Sequence, residues 1–231
     1  MASIFSLPQR FLTRKGYGVH SPFAFYLLTK ILPDEYSYYA FVFLDEYIRS
    51  VDIYLHARNI CFKIFKPAYY HFLFRLGVYF RWKTILSLGD SFGLSLLYTS
   101  MGSGSLFSYS YYSQHGLLVD LLGDISLSRL AQTTSAEDFH DTLSSIDKVD
   151  CLLFSQFSVG QQDYLELFNL IKSKLHANSC MIIEKISSKP MQVFWEELIF
   201  SQDVSAVFDF YDTGVVFFNK KYVKRLYKVL F

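Results

Sequence analysis

Short apolar runs alternate with helix-like segments over most of this 231-residue chain, and this alternation limits the possible folds more than any other feature. The strand-like runs are residues 84–88, 106–109, 149–154, 180–183, 205–210 and 214–218. The helix-like segments between them are residues 94–101, 137–146, 163–175 and 191–200. Because strands connected through helices pair in parallel, this order predicts an α/β fold with a doubly wound, Rossmann-like sheet.

The two ends of the chain depart from this alternation. No helix-like segment separates the last two strand-like runs, so we expect them to pair and to end the mostly parallel sheet with an antiparallel strand. Residues 1–82 show no strand-like alternation, and helices are predicted over residues 37–58 and 67–81. The chain therefore divides into a helical N-terminal extension, residues 1–82, and a Rossmann-like domain, residues 83–231, which we expect to form one compact unit.

The composition excludes several classes of protein. Hydrophobic residues make up 52% of the chain, which excludes disorder, and the net charge of +1 predicts no nucleic-acid partner. No run of 18 apolar residues is present, so no transmembrane span is expected. The three cysteines, Cys61, Cys151 and Cys180, match no disulfide framework or metal motif and favour a reducing, cytoplasmic location. A homo-oligomer is compatible with all of these features.

Cations are concentrated near both ends of the chain. Near the start these are Arg10, Arg14 and Lys15, and five more lie at Lys220, Lys221, Lys224, Arg225 and Lys228. Such runs usually form solvated faces. Residues 222–231 could form a basic amphipathic helix at a membrane surface, or they could pack on the domain as a final strand.

A turn with two glycines, residues 88–93, joins the first strand-like run to the first helix. In a doubly wound sheet such a turn lies at the carboxyl ends of the strands, where ligands bind. Gly89 and Gly93 allow close approach of the backbone to a ligand, and N–H groups at a helix N-terminus can bind ligand oxygens. A strand-to-helix turn without a ligand can also contain these glycines.

Residues 85–95, Ile-Leu-Ser-Leu-Gly-Asp-Ser-Phe-Gly-Leu-Ser, resemble the first motif of S-adenosylmethionine (SAM)-dependent methyltransferases of the O-methyltransferase-like branch. Residues 18–23, 191–195 and 209–218 extend the resemblance to a group of methyltransferase-like proteins common in Bacteroidetes-type bacteria. The resemblance implies a methyltransferase-type Rossmann-like fold, SAM as cofactor and a small molecule as methyl acceptor. The positions that it assigns to the cofactor are Leu88, Gly89, Asp90, Ser91, Gly93, Ser110 and Ser155.

Several positions depart from the family's pattern by loss of an acidic residue. Ser87 replaces a glutamate, Ser110 replaces the acid that accepts both ribose hydroxyls, and Ser155 replaces an aspartate after the fourth strand. Glu184 and Lys185 stand where the family has two aspartates. One carboxylate beside an ammonium is a poor ligand set for Mg²⁺, so we expect no metal. These losses indicate a degenerate member, and the alternative function is a catalytically inactive binding or scaffold protein.

Two residues are candidates for catalysis. Lys185 could act as a base if it is desolvated, or it could be an ordinary solvated lysine at a strand end. His20, which precedes Ser21 and Pro22, could reach the active site as a base from an N-terminal lid. It could instead be a buried histidine that holds the helical extension on the domain.

Overall fold

An eight-stranded sheet runs through the protein in the computed structural model, which describes residues 6–33, 36–60, 64–89, 92–105, 107–111, 130–133, 136–155 and 164–231. The strands are β1 (Thr84–Leu88), β2 (Phe107–Tyr111), β3 (Leu130–Thr133), β4 (Val149–Phe154), β5 (Leu175–Glu184), β6 (Ala206–Asp209), β7 (Thr213–Phe217) and β8 (Arg225–Lys228). Their order is β3-β2-β1-β4-β5-β7-β6-β8. The first five positions match a doubly wound nucleotide-binding sheet, so the predicted α/β, Rossmann-like class is confirmed.

Strand β7 is the antiparallel strand that the sequence predicts. It runs antiparallel to both β5 and β6, whereas the other neighbouring strands pair in parallel. Strand β8 is the edge strand and pairs in parallel with β6, from Ala206 opposite Arg225 to Asp209 opposite Lys228. Tyr227 stacks on Phe208 with 5.0 Å between ring centroids. Of the two alternatives for the C-terminal residues, the final strand is therefore the observed one.

Helices cover both faces of the sheet. They are α1 (Ser6–Arg14), α2 (Pro22–Tyr26), which continues as a π-helical turn (Leu27–Ile31), α3 (Ala40–Ala57), α4 (Pro67–Phe80), α5 (Leu94–Ser103), α6 (Ala136–Ser145), α7 (Tyr164–Lys172) and α8 (Lys189–Phe200). Alternate residues of each strand point to opposite faces. Helices α2–α5 pack on the face that contains Ile85 and Cys180, and α6–α8 pack on the face that contains Leu86 and Met181.

The polypeptide of the central strands is buried on both sides, which explains why their sequences are almost continuously apolar. Cys151 and Cys180 lie in this region, and burial raises the pKa of both thiols well above the ordinary value. Cys61 lies outside the described residues. None of the helices in the described part of the chain has the length and apolar character needed to span a bilayer.

Two glycines let helices α4 and α5 pack unusually closely. A Cβ atom at Gly102 would lie 2.1 Å from the carbonyl oxygen of Phe74, and one at Gly77 would lie 2.6 Å from that of Thr99. Real Cβ atoms do not approach a carbonyl so closely, so only glycine fits at this crossing. The close packing holds α4, from the N-terminal helices, against the helix that follows the β1 turn.

Arg10 fixes helix α1 to the side of the sheet that is formed by β6 and β8. The guanidinium donates to both carboxylate oxygens of Asp209 at 3.0 Å, and also to the carbonyl oxygens of Asp209 and Val229. Both side chains of the ion pair are nearly inaccessible to solvent. Paired and hydrogen-bonded in this way, the arginine joins α1 to β6 and to the residue after β8.

Candidate functional site

The turn after β1 lies at the carboxyl edge of the parallel strands, as the sequence predicts. The Leu88 carbonyl accepts the N–H of Ser155 at 2.7 Å, and the Gly89 N–H donates to the Tyr111 carbonyl at 2.9 Å. The turn is therefore held between the ends of β2 and β4. Asp90 and Ser91, which the resemblance assigns to the cofactor, lie outside the described residues.

Gly89 is required by the packing of the chain itself. Its φ is 91°, a left-handed conformation that favours glycine, and a Cβ atom there would lie 2.1 Å from the Ser155 carbonyl oxygen. A side chain at this position would disturb the fold as well as any bound ligand. The glycine is thus explained without a cofactor, although it is equally compatible with one.

The end of the turn also has left-handed backbone conformations. Phe92 has a φ of 51° and is buried, and Gly93 has a φ of 69° and caps the N-terminus of α5. The Gly93 carbonyl accepts the N–H of Leu97 at 2.8 Å and so begins the helical hydrogen-bond pattern. The start of α5 is therefore tightly defined, with its first N–H groups at the carboxyl edge of the sheet.

Serines occupy the two strand positions at which the resemblance expects acids. Ser110 of β2 lies opposite Ser87 of β1 in the parallel pairing. The hydroxyl of Ser87 is buried and has no hydrogen-bond partner within the described part of the chain. A buried hydroxyl without a partner is destabilising, so this position holds a small polar group that the described residues around it do not use.

A buried carboxylate, Glu184, lies in the same row of the sheet as Gly89 and Ser155. The pairing registers place these residues opposite one another just past the ends of β1 and β4 and at the end of β5. Glu184 is 3% exposed, and its Oε1 accepts the hydroxyl of Tyr69 at 2.7 Å and also that of Ser95. Its Oε2 accepts the hydroxyl of Ser155. These four residues are called the Glu184 cluster below.

The Glu184 cluster stabilises a buried negative charge with neutral donors. A carboxylate offers about four acceptor sites, and three hydroxyls fill three of them. Burial, followed by the nearby carboxylate, raises the pKa of the Tyr69 hydroxyl well above its ordinary value. Carboxylate oxygens that already accept hydroxyl protons do not form a suitable ligand set for Mg²⁺. The cluster joins four elements, α4, α5, β4 and β5, at the edge where a ligand would bind.

Lys185 directly follows the Glu184 cluster. It is half-buried and has a φ of 56°, a strained value for a residue with a side chain. Its carbonyl accepts the N–H of Ser188 at 2.9 Å, which closes a turn between β5 and α8. Of the two predicted catalytic residues, Lys185 is the one that lies at the carboxyl edge.

His20 lies in a different part of the protein. It is exposed, so the expectation of a buried histidine is wrong: the neighbouring side chains that pack against the core are Val19 and Phe23. Phe23 stacks on Tyr222 at 3.8 Å and contacts Phe217 edge-on at 4.9 Å. Phe217 pairs with a residue of β5 four positions before Glu184, about 13 Å along the strand. The segment around His20 is thus anchored on the sheet about four residues before the Glu184 row.

The sequence does not reveal two members of the Glu184 cluster as functional candidates. Tyr69 belongs to the N-terminal helices and is 115 positions from its carboxylate partner, so no local spacing connects them. Ser95 lies within the motif that resembles methyltransferases, but only the fold turns its hydroxyl toward Glu184. The sequence signal that could have identified Ser95 is its position just after the turn that contains Gly89 and Gly93.

Several solved structures share this fold. A methyltransferase from Geobacter sulfurreducens superimposes with a TM-score of 0.61 at 13% identity, over 76% of this chain and 90% of its own. An O-methyltransferase from Bacillus cereus in complex with S-adenosylhomocysteine gives 0.57 at 16% identity, over 75% and 90%. The O-methyltransferase TomG from Streptomyces achromogenes in complex with SAM gives 0.54 at 14% identity, over 79% and 91%.

The likeness covers most of each of these proteins. No family model and no curated protein matches the sequence. At identities of 10–16% among the similar structures, what is shared is the arrangement of the chain. The protein therefore has the Rossmann-like fold of SAM-dependent O-methyltransferases.

Proposed function

We propose that the protein binds SAM at the turn after β1 and transfers its methyl group to a small-molecule acceptor. The observation that carries this proposal is the β1–turn–α5 unit, with left-handed Gly89 and Gly93 at the carboxyl edge of the sheet. Two proteins of the same fold were crystallised with SAM or S-adenosylhomocysteine. N–H groups at the start of α5 would hold the polar end of the cofactor, and Ser110 would offer one hydroxyl to the ribose.

The protein's contribution to methyl transfer would be proximity and orientation. SAM supplies a methyl group already activated on a sulfonium, so no acid or metal is needed to create the electrophile. Glu184 orients the Ser155 hydroxyl and fixes the start of α5 through Ser95. Lys185, at the same edge, is the candidate to accept a proton from the acceptor. His20 has no part in this scheme.

We also propose that residues 1–82 and 83–231 act as one unit in the cytoplasm. The hydrogen bond from Tyr69 to Glu184 supports this, because it connects the N-terminal helices to the candidate site. The buried, unbonded cysteines Cys151 and Cys180 are consistent with a reducing compartment. The neighbours' methyltransferase activity supports a small-molecule acceptor.

The second candidate function is a methyltransferase-fold binding or scaffold protein without catalysis. The specific observation in its favour is that the hydroxyls of Ser95 and Ser155 donate to Glu184, so neither proton is available to a ligand. Ser87 and Ser110 also provide no carboxylate. In this case the Glu184 cluster would serve only to join the helices to the sheet.

Isothermal calorimetry with SAM and S-adenosylhomocysteine distinguishes the two candidates. We expect weak binding by the native protein and about tenfold tighter binding by Ser110→Asp, because a carboxylate at the end of β2 can accept both ribose hydroxyls. Ser110→Asn is the matched control, because asparagine has the size of aspartate without its charge. Its affinity for the ligands should increase much less. Absence of binding by all three proteins would overturn the proposal and favour the non-catalytic function.

A further inference from the structure

Helix α1 has its polar and apolar sides reversed. A helix on the surface of a protein normally buries apolar side chains and exposes charged ones. In α1 the arginine, Arg10, is buried against Asp209, while Leu7, Phe11 and Leu12 are 42%, 45% and 48% exposed. The outer face of α1 therefore has the character of a surface that meets an apolar partner.

The ends of the chain carry a strong positive charge that the net charge of +1 conceals. All 21 acidic residues lie within residues 34–212. Residues 1–33 contain four cations and no acid, although Arg10 is paired with Asp209, and residues 213–231 contain five cations and no acid. The net charge of the whole chain therefore does not describe the attraction of its two ends for an anionic surface.

The fold brings these two cationic ends together. The N–H of Leu230, just after β8, donates to the Arg10 carbonyl at 3.3 Å, and Arg10 Nη1 donates to the Val229 carbonyl at 3.2 Å. A cleft of about 400 Å³ lies between them, lined by Leu12 and Tyr17 on one side and by β8 on the other. Helix α1 and strand β8 thus form one continuous surface, called the α1–β8 surface below.

The α1–β8 surface mixes exposed apolar side chains with cations. Tyr17 is 66% exposed and Leu226 is 37% exposed, and both line the cleft. Lys228 is exposed and lines the same cleft, and Lys15 is exposed with its Nζ 4.7 Å from the centroid of the Phe11 ring. Apolar groups that can enter the headgroup region, surrounded by cations that attract anionic lipids, are the features of proteins that bind the surface of a bilayer.

We propose that the α1–β8 surface docks the protein reversibly on an anionic membrane surface. Charge complementarity and the exposed apolar side chains of α1 together carry this inference. A phosphate backbone of nucleic acid would use the cations but not Leu7, Phe11 or Leu12. A second copy of the chain, meeting the same surface around a two-fold axis, would bring like charges together.

Co-sedimentation with phosphatidylcholine vesicles, with and without phosphatidylserine, tests the proposal on the full chain. We expect binding only to the anionic vesicles and its loss at high salt. Lys15→Glu with Lys228→Glu should weaken binding roughly 20-fold or more, since each surface cation contributes about fivefold. The control pair, Lys83→Glu with Lys189→Glu, has the same change in net charge away from the surface and should bind nearly as the native protein does.

The apolar contribution is tested separately. Phe11→Ser should weaken binding to the vesicles severalfold, because it removes an exposed apolar side chain of α1. Val193→Ser, at an exposed position of α8, should not weaken it. All of these side chains are exposed, so circular dichroism should show the native fold throughout. Three results would each overturn the proposal. The first is an equal loss of binding in the target and control variants, and the second is binding to neutral vesicles. The third is no binding to vesicles under conditions in which duplex DNA binds.

Discussion

Glu184 is a buried carboxylate that accepts three hydrogen bonds at the carboxyl edge of the sheet. A buried charge is costly unless its acceptor sites are filled. Here the three donors, Tyr69, Ser95 and Ser155, each come from a different element. The carboxylate therefore stabilises the relative positions of α4, α5 and β4, and through them the start of the turn where the cofactor is proposed to bind.

Replacing this carboxylate should destabilise the fold. Glu184→Gln keeps the size but puts an N–H₂ donor against a hydroxyl donor, and we expect a loss of about 1–3 kcal/mol in the free energy of unfolding. Glu197→Gln, on the exposed side of α8, should change it by less than about 0.5 kcal/mol. Urea unfolding monitored by circular dichroism measures both. Equal effects of the two substitutions would show that the Glu184 cluster is not formed.

The sequence predicts the site only where its residues are neighbours along the chain. Gly89 and Gly93 follow from one strand-to-helix pattern, whereas Leu88 and Ser155 are assigned only by the resemblance to methyltransferases. Tyr69 does not, because its role depends on where α4 packs. Nor does sequence alone show that the Gly89 conformation is imposed by the Ser155 carbonyl.

At the scale of elements, the close crossing of α4 and α5 brings two donors of the Glu184 cluster together. The crossing is close because Gly77 and Gly102 face backbone carbonyls of the opposite helix. This proximity lets Tyr69 in the first turn of α4 and Ser95 in the first turn of α5 reach the same carboxylate oxygen. Larger side chains at the crossing would separate these two donors.

Gly102→Ala should therefore destabilise the protein even though alanine favours helices. The new Cβ would lie 2.1 Å from the Phe74 carbonyl oxygen, and the helices must move apart. We expect a loss of about 1–3 kcal/mol, larger than the gain of about 1 kcal/mol in helix propensity. Met101→Ala, at an exposed position of the same turn, is the control. A rise in the melting temperature of the Gly102 variant would contradict the packing described here.

The strands were predictable where they are apolar. Residues 84–88 and 149–154 form strands with the bounds that their apolar runs predict. Strand β5 begins at Leu175 instead of residue 180, because its polar first half is held by pairing that begins with Val149 opposite Leu175. Strand β8 has one buried side chain among three exposed ones, so its sequence is compatible with either a helix or a strand.

At the scale of the whole molecule, an aromatic core joins the N-terminal helices to the sheet. Tyr69 and Tyr70 are both buried in it, and burial, followed by the Glu184 carboxylate, raises the pKa of each hydroxyl. The folded protein therefore keeps protons on these groups at pH values at which the unfolded chain releases them. The resulting stability is complete below the ordinary tyrosine pKa and decreases as the pH rises past it.

We expect the free energy of unfolding to fall steeply above about pH 10. Tyr70→Phe removes one of the buried groups whose pKa is raised and should make this decrease shallower. Tyr39→Phe, at a position that is 95% exposed, should leave its slope unchanged. Urea unfolding between neutral and alkaline pH provides the comparison. A slope that is the same in the Tyr70 and Tyr39 variants would show that Tyr70 is not a cause of the alkaline instability.

Amide hydrogen exchange with and without S-adenosylhomocysteine tests the proposed cofactor site most directly. We expect slower exchange with the ligand in residues 88–97 and in β2, and no change in α1 or β8. Unchanged exchange around Gly89 at saturating ligand, or slowing confined to another part of the protein, would contradict the assignment of the turn as the cofactor site.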